Sequence, residues 1–222
     1  MRYVTAALIL SAATTVHAFD LTPMDACRPQ SGASCAAARL SGINWRGARL
    51  DYAELDRAVL VRARLDRASL QGVDLNNADL TNASLRAADM QATDLRDASL
   101  VGARLNRSDL SYARMHRVQM SEAILRDADL TGADLRESVL RNADFENADL
   151  RNAQLEAADA AWANFHDADL SEASLAGANL RGANFRNADL RNADLRGAKF
   201  DEASFAGAKM ANCLGCPGMA GD

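Results

Sequence analysis

Proline is nearly missing from this chain, with only Pro23, Pro29 and Pro217 among 222 residues. No proline falls between residues 30 and 216, so nothing there interrupts a backbone hydrogen-bond ladder. Aromatic residues make up 5%. Lysine occurs only at Lys199 and Lys209, and arginine supplies the other basic charge. Net charge is −5 with both signs interspersed, which lacks the strong basic excess of a nucleic-acid footprint. No glycine-rich phosphate loop and no recognisable nucleophile motif is present. The apolar stretch from Val4 to Val16 is too short to span a bilayer. These absences argue against an enzyme, a nucleic-acid binder and stable membrane insertion.

What the chain does have starts at its N-terminus. Arg2 gives a positive start, Val4 to Val16 an apolar core, and Val16-His17-Ala18 a small-residue cleavage site. Residues 1–18 therefore read as a signal peptide, and the mature protein as periplasmic or secreted. The four cysteines, Cys27, Cys35, Cys213 and Cys216, agree with an oxidising compartment.

Between the cysteine pairs lies a repeat. From Leu40 to Met210 every fifth position is apolar, making 35 successive pentads in which only Ala160 is undersized. Two residues before each centre stands Ala in 29 cases, replaced by the compact Ile43, Val73, Thr93, Ser108, Val118 and Ser138. A period of five suits neither a helix nor a flat strand, so the chain must turn once per pentad to return two residues inward. Gly or Asn two places after many centres, as in Gly42, Gly72, Asn77 and Asn192, supplies residues that tolerate tight turns.

Runs such as Ala188-Asp189-Leu190-Arg191-Asn192 and Ala193-Asp194-Leu195-Arg196-Gly197 resemble the A(D/N)LXX motif of the pentapeptide-repeat family. That resemblance implies an all-β fold, a right-handed quadrilateral parallel β-helix with four pentads per coil. One observation supports the square independently. Trp45, Phe145, Phe165, Phe185 and Phe205 are separated by multiples of twenty residues, so four pentads per coil would stack them in one interior column. The coils would form a rod of about 42 Å at strand spacing. The resulting division is a cap segment over 19–35, a solenoid over 36–212 and a C-terminal cap or tail over 213–222, with a short capping helix expected over 22–28 from Thr22, Pro23 and Asp25.

On such a rod the ends lie too far apart for a disulfide between them, leaving Cys27–Cys35 and Cys213–Cys216. The second pair forms a Cys-x-x-Cys before Pro217, which reads either as a structural staple or as a redox or metal site. His116 and His166 would sit on opposite sides and could not share a metal.

One outward constellation stands out. Asp89, Asp109, Asp129, Asp149, Asp169 and Asp189 are spaced by twenty and would stack on one face. Either each aspartate bonds its local turn, or the column forms an oxygen-ligand surface for calcium or a basic partner. Trp162, in an outward position beside Ala160, would either fold over that gap or serve as an exposed anchor. The functional expectation is a non-enzymatic exported scaffold that presents a flat face to an unknown protein partner and has no cofactor. Two alternatives remain. One is a DNA-mimicking topoisomerase-binding protein, if the N-terminus is not a signal; the other is a cation-binding surface protein using the aspartate column.

Overall fold

A computed structural model describes residues 27–218. The signal peptide expected over 1–18 lies outside them. So does most of the helix expected over 22–28; its last two residues, Cys27 and Arg28, are not helical.

Each pentad makes one flat rung and one turn, and its five N–H groups show why. In the pentad around Leu75, Asp74 N–H donates to the Ala53 carbonyl of the coil before, at 3.0 Å. Leu75 and Asn77 N–H donate to the Asp94 and Arg96 carbonyls of the coil after, at 2.8 and 2.9 Å. Ala78 N–H closes the turn on the Leu75 carbonyl at 3.0 Å. The fifth donor, Asn76 N–H, has no backbone partner and goes to the Asp74 carboxylate at 3.0 Å. All five donors are satisfied, as an ordered backbone requires.

The rungs pair in parallel at a constant offset of twenty residues, from Ser34↔Glu54 to Asp194↔Leu214. Four pentads therefore complete a coil, and the chain is a right-handed quadrilateral β-helix. Nine steps separate Ser34 from Leu214, a rod of about 43 Å at strand spacing. We number its faces by their outward columns: the first carries Ser34 to Leu214, the second Arg39 to Lys199, the third Asn44 to Ser204, the fourth Arg49 to Lys209. The ladder takes in Ser34 and Cys35, which the sequence had placed in the cap. Cys35 is buried as the first centre of the series, one pentad before the Leu40 expected from the sequence.

Every turn from Gly32 to Asn212 places the second residue after the centre at positive φ, the geometry of a type II turn. The sequence accounted for Gly and Asn there. Arginine, glutamate, alanine, tyrosine and tryptophan adopt it as well, among them Arg57 at 56° and Trp162 at 62°. A non-glycine residue there costs about 1 kcal/mol. Closing the turn returns the alanine and the centre to the interior, and their burial with three cross-coil bonds outweighs that cost.

The interior is nearly all Leu and Ala, with most centres fully buried. Phe145, Phe165, Phe185 and Phe205 stack at ring-centroid spacings of 5.0, 4.9 and 5.0 Å, almost parallel. Phe200 closes the C-terminal end edge-on to Phe205 at 5.8 Å. Thr93, Ser108 and Ser138 replace alanine inside and each donates its hydroxyl to a carbonyl, at 2.7, 2.7 and 2.6 Å for the nearest.

Disulfides join Cys27 to Cys35 and Cys213 to Cys216, with Cα separations of 5.3 and 5.8 Å. Gly215 has φ 72°, and a Cβ there would stand 2.9 Å from the Arg196 backbone, so only glycine lets the last turn close this tightly. No helix among the described residues is long and apolar enough to cross a membrane.

Candidate functional site

Outward chemistry concentrates at two kinds of position, the residue before each centre and the two turn residues after it. All 13 aspartates in the first kind accept the N–H two residues on, at 2.9 to 3.5 Å. Asn164, Asn179 and Asn184 do the same at 3.2, 3.4 and 3.2 Å. The repeat selects Asp or Asn here because one oxygen must satisfy the single N–H that the coil leaves without a backbone partner. Where serine stands instead, at Ser69 and Ser84, an aspartate from the preceding coil takes over. Asp51 holds the Ser69 hydroxyl and Gln71 N–H, and Asp66 the Ser84 hydroxyl and Arg86 N–H.

Asp89, Asp109, Asp129, Asp149, Asp169 and Asp189 stand on successive rungs of the fourth face. Each caps its own turn, and most bind more. Gln71 and Gln91 donate to Asp89 and Asp109 at 2.5 Å. Ser111 and Ser171 hydroxyls reach Asp109 and Asp169 at 2.7 Å. Arg151 and Arg191 engage Asp149 and Asp189 at 2.6 Å, and Lys209 approaches Asp189 at 3.6 Å. Burial pushes the carboxyls of Asp109 and Asp149 up, but their hydrogen bonds outweigh it and both titrate below the ordinary range. At Asp189 the Arg191 bond dominates, and that carboxyl too is lowered. These interactions neutralise the repulsion a bare column would suffer. No cluster of His, Cys, Asp and Glu among the described residues is arranged to hold a metal ion.

Trp162 is half exposed at 52% and its ring lies against Gly182, one coil further on. Ala160 is fully buried between its column neighbours. Tyr52 over Gly72 and Tyr112 over Gly132 repeat the device, an aromatic turn residue lying on a glycine one coil later. His116 pairs with Glu137 at 3.4 Å and His166 with Asp167 at 3.0 Å, on opposite corners of the rod. Cys213 and Cys216 are bonded to each other and buried.

The net charge of −5 conceals a segregation of charge along the axis. Residues 27–126 carry 15 arginines against 11 carboxylates, whereas residues 127–218 carry nine basic residues against 16 carboxylates. In the basic half the corner between the third and fourth faces forms an open groove of about 740 Å³. It is lined by Arg46, Arg67, Arg86, Arg107 and Arg126, with Asp66, Asp127 and Asn106 and the small Gly47 and Ala87 among them. Counting each half separately would have shown the first feature. The groove was hidden because its arginines are spaced alternately by 21 and 19, never by the twenty that marks a single column.

A family profile described as pentapeptide repeats matches in eight copies, from residues 31–67 through 178–214. The chain belongs to the pentapeptide-repeat family. Among solved structures, this pentapeptide-repeat protein is similar to HetL from the cyanobacterium Nostoc sp. strain PCC 7120, involved in heterocyst differentiation regulation. Identity is 36% over 79% of this chain and 82% of that one, with a TM-score of 0.37. A trypsin-treated form of QnrB1, a plasmid-mediated fluoroquinolone resistance protein, is 17% identical over 79% and 87% of the chains at a TM-score of 0.57. That likeness concerns the fold alone. Rfr23 from the cyanobacterium Cyanothece 51142 is 34% identical over 43% of this chain and 63% of its own, at a TM-score of 0.25. No curated protein matches the chain.

Proposed function

We propose that this pentapeptide-repeat rod is a non-enzymatic scaffold that acts outside the cytoplasm by presenting its outward side chains to a binding partner. One observation carries the reading: the aspartates before the centres, the described cysteines and the described histidines are engaged within the rod itself. Each aspartate before a centre caps a turn, both cysteine pairs are joined, and each described histidine faces a carboxylate. What stays free is a set of straight columns on a rigid frame, the property of a binding surface. The signal-like residues 1–18 and the two disulfides support an exported location.

The basic excess of residues 27–126 disfavours a DNA mimic, which needs acidic faces along its length. Calcium binding by the aspartate column is disfavoured by the bonds its carboxylates already make.

Sequencing of the mature N-terminus after fractionation tests export; Phe19 as the first residue of an extracytoplasmic protein is the expected result. Crosslinking in the intact cell, followed by reconstitution with the purified protein, tests the scaffold. A stoichiometric partner released by changes in one outward column is expected. A cytoplasmic protein retaining Met1 would remove the export half of this reading.

A further inference from the structure

The corner between the third and fourth faces carries one arginine per coil for five successive coils. Arg46, Arg86 and Arg126 occupy the first turn position, and Arg67 and Arg107 the second, so the series alternates between adjacent columns. At strand spacing this ladder is about 19 Å long. Arg64 and Arg104 flank it from the third face, Arg104 beside the groove next to Asn106. Some of these cations are spoken for. Arg46 bonds Asp66 at 2.7 Å, Arg107 faces Asp127 at 3.5 Å, and Arg126 bonds Asp144 at 2.5 Å. Arg64, Arg67, Arg86 and Arg104 have no carboxylate partner among the described residues, though they stand within three neighbouring coils. A free guanidinium is a planar fork suited to carboxylate or sulfate oxygens.

We infer that this groove binds a linear anionic polysaccharide along the rod axis. The inference deepens the scaffold reading by naming the partner's chemistry. Spacing is the first argument. An extended acidic peptide turns carboxylates to one side every two residues, about 6.7 Å, and falls out of step with the coil within two repeats. In duplex DNA the phosphates of one strand advance about 3.4 Å along the axis while winding around it, so they do not follow a straight ladder. In a uronate chain each pyranose ring with its linkage advances by a step comparable to one strand spacing and carries one carboxylate, which matches the unpaired Arg67, Arg86 and Arg104, one per successive coil. Lining is the second. The groove contains no aromatic side chain on which a nucleobase could stack, whereas Asn106 offers an amide to sugar hydroxyls. Axial charge is the third. The acidic half of the rod repels a polyanion and confines it to residues 46–126.

Calorimetric titration of the full-length protein with heparin and polygalacturonate hexasaccharides tests the inference. Neutral dextran and a single-stranded oligothymidylate serve as comparisons. Both anionic glycans should bind, dextran should not, and binding should weaken with salt. The variant Arg67→Gln/Arg86→Gln/Arg104→Gln should bind at least tenfold more weakly with its thermal midpoint unchanged. Arg186→Gln, on the same corner in the acidic half, should bind as the wild type does. Equal binding by the triple variant, no binding of either glycan, or tighter binding of oligothymidylate would each overturn it. So would sedimentation showing that the triple substitution instead abolishes self-association, which would assign the ladder to a second copy. Failure here leaves the scaffold reading to its own crosslinking test, because the probes are purified glycans.

Discussion

The indole of Trp162 lies across Gly182, one coil further along the chain, in the space a Cβ at Gly182 would need. Sequence distance hides the pair, whereas on the rod the two turns are stacked neighbours. Gly182 also has φ 66°, so a side chain there meets both backbone strain and the ring. Gly182→Ala is expected to destabilise by about 1–2 kcal/mol, read as a lowered thermal midpoint by circular dichroism. Adding Trp162→Ala should recover the part due to the clash, leaving the backbone part. An unchanged midpoint for Gly182→Ala would show that the ring swings away freely.

Asp129 separates cap from charge. Its oxygen accepts Thr131 N–H at 2.9 Å, a bond that asparagine can also make, as Asn184 does with Arg186 N–H. Asp129→Ala is expected to cost about 1 kcal/mol, and Asp129→Asn a fraction of that. If the asparagine variant were as unstable as the alanine one, charge would be the determinant and the column would need another explanation.

Acid should loosen the rod from its surface inward. Asp66, Asp94, Asp97, Asp109, Asp134, Asp149, Asp189 and Asp194 all titrate below the ordinary aspartate range. The folded state therefore favours the ionised form. That contribution is fully present above about pH 5 and is lost as pH falls through about 3.9 and below. Urea midpoints measured across this range should be flat on the neutral side and drop on the acid side. A midpoint rising toward acid pH would contradict the assignment.

The phenylalanine stack is expected to set local stability in the C-terminal half. Phe165→Ala opens a hole between rings spaced 5.0 and 4.9 Å and should cost about 3–5 kcal/mol. Phe165→Leu should cost only about 1 kcal/mol, because Leu65, Leu85, Leu105 and Leu125 fill the same column with no change in the coil. Hydrogen exchange should show the loss concentrated in coils next to residue 165, as nearest-neighbour stacking requires. Uniform loss along the rod would show longer-range cooperativity.

The same rod shows how far reading by columns reaches. A strict repeat maps sequence offset onto space, so the Phe145–Phe205 stack and the aspartate ladder could be placed once the family resemblance supplied four pentads per coil. The rule fails wherever function or strain crosses columns. The arginine groove joins two turn columns and part of a face, and Asp51 serves Gln71 by reaching from a turn to the next coil. The positive φ at Arg57 or Trp162 was equally hidden, since neither residue type signals it and only the closure of the coil imposes it.

The pentad of small and large apolar residues by itself determined that this chain is a solenoid, because no other backbone returns two residues of every five to an interior. It also determined which residues are core and which cysteines can meet. The tertiary structure decided what the outward residues do. A carboxylate before a centre reads the same in sequence whether it caps a turn or waits for a ligand, and only the unpartnered N–H two residues on distinguishes the two. An arginine likewise reads the same whether paired or free. Which of them remain free depends on carboxylates one coil away, and that neighbourhood exists only once the coils are stacked.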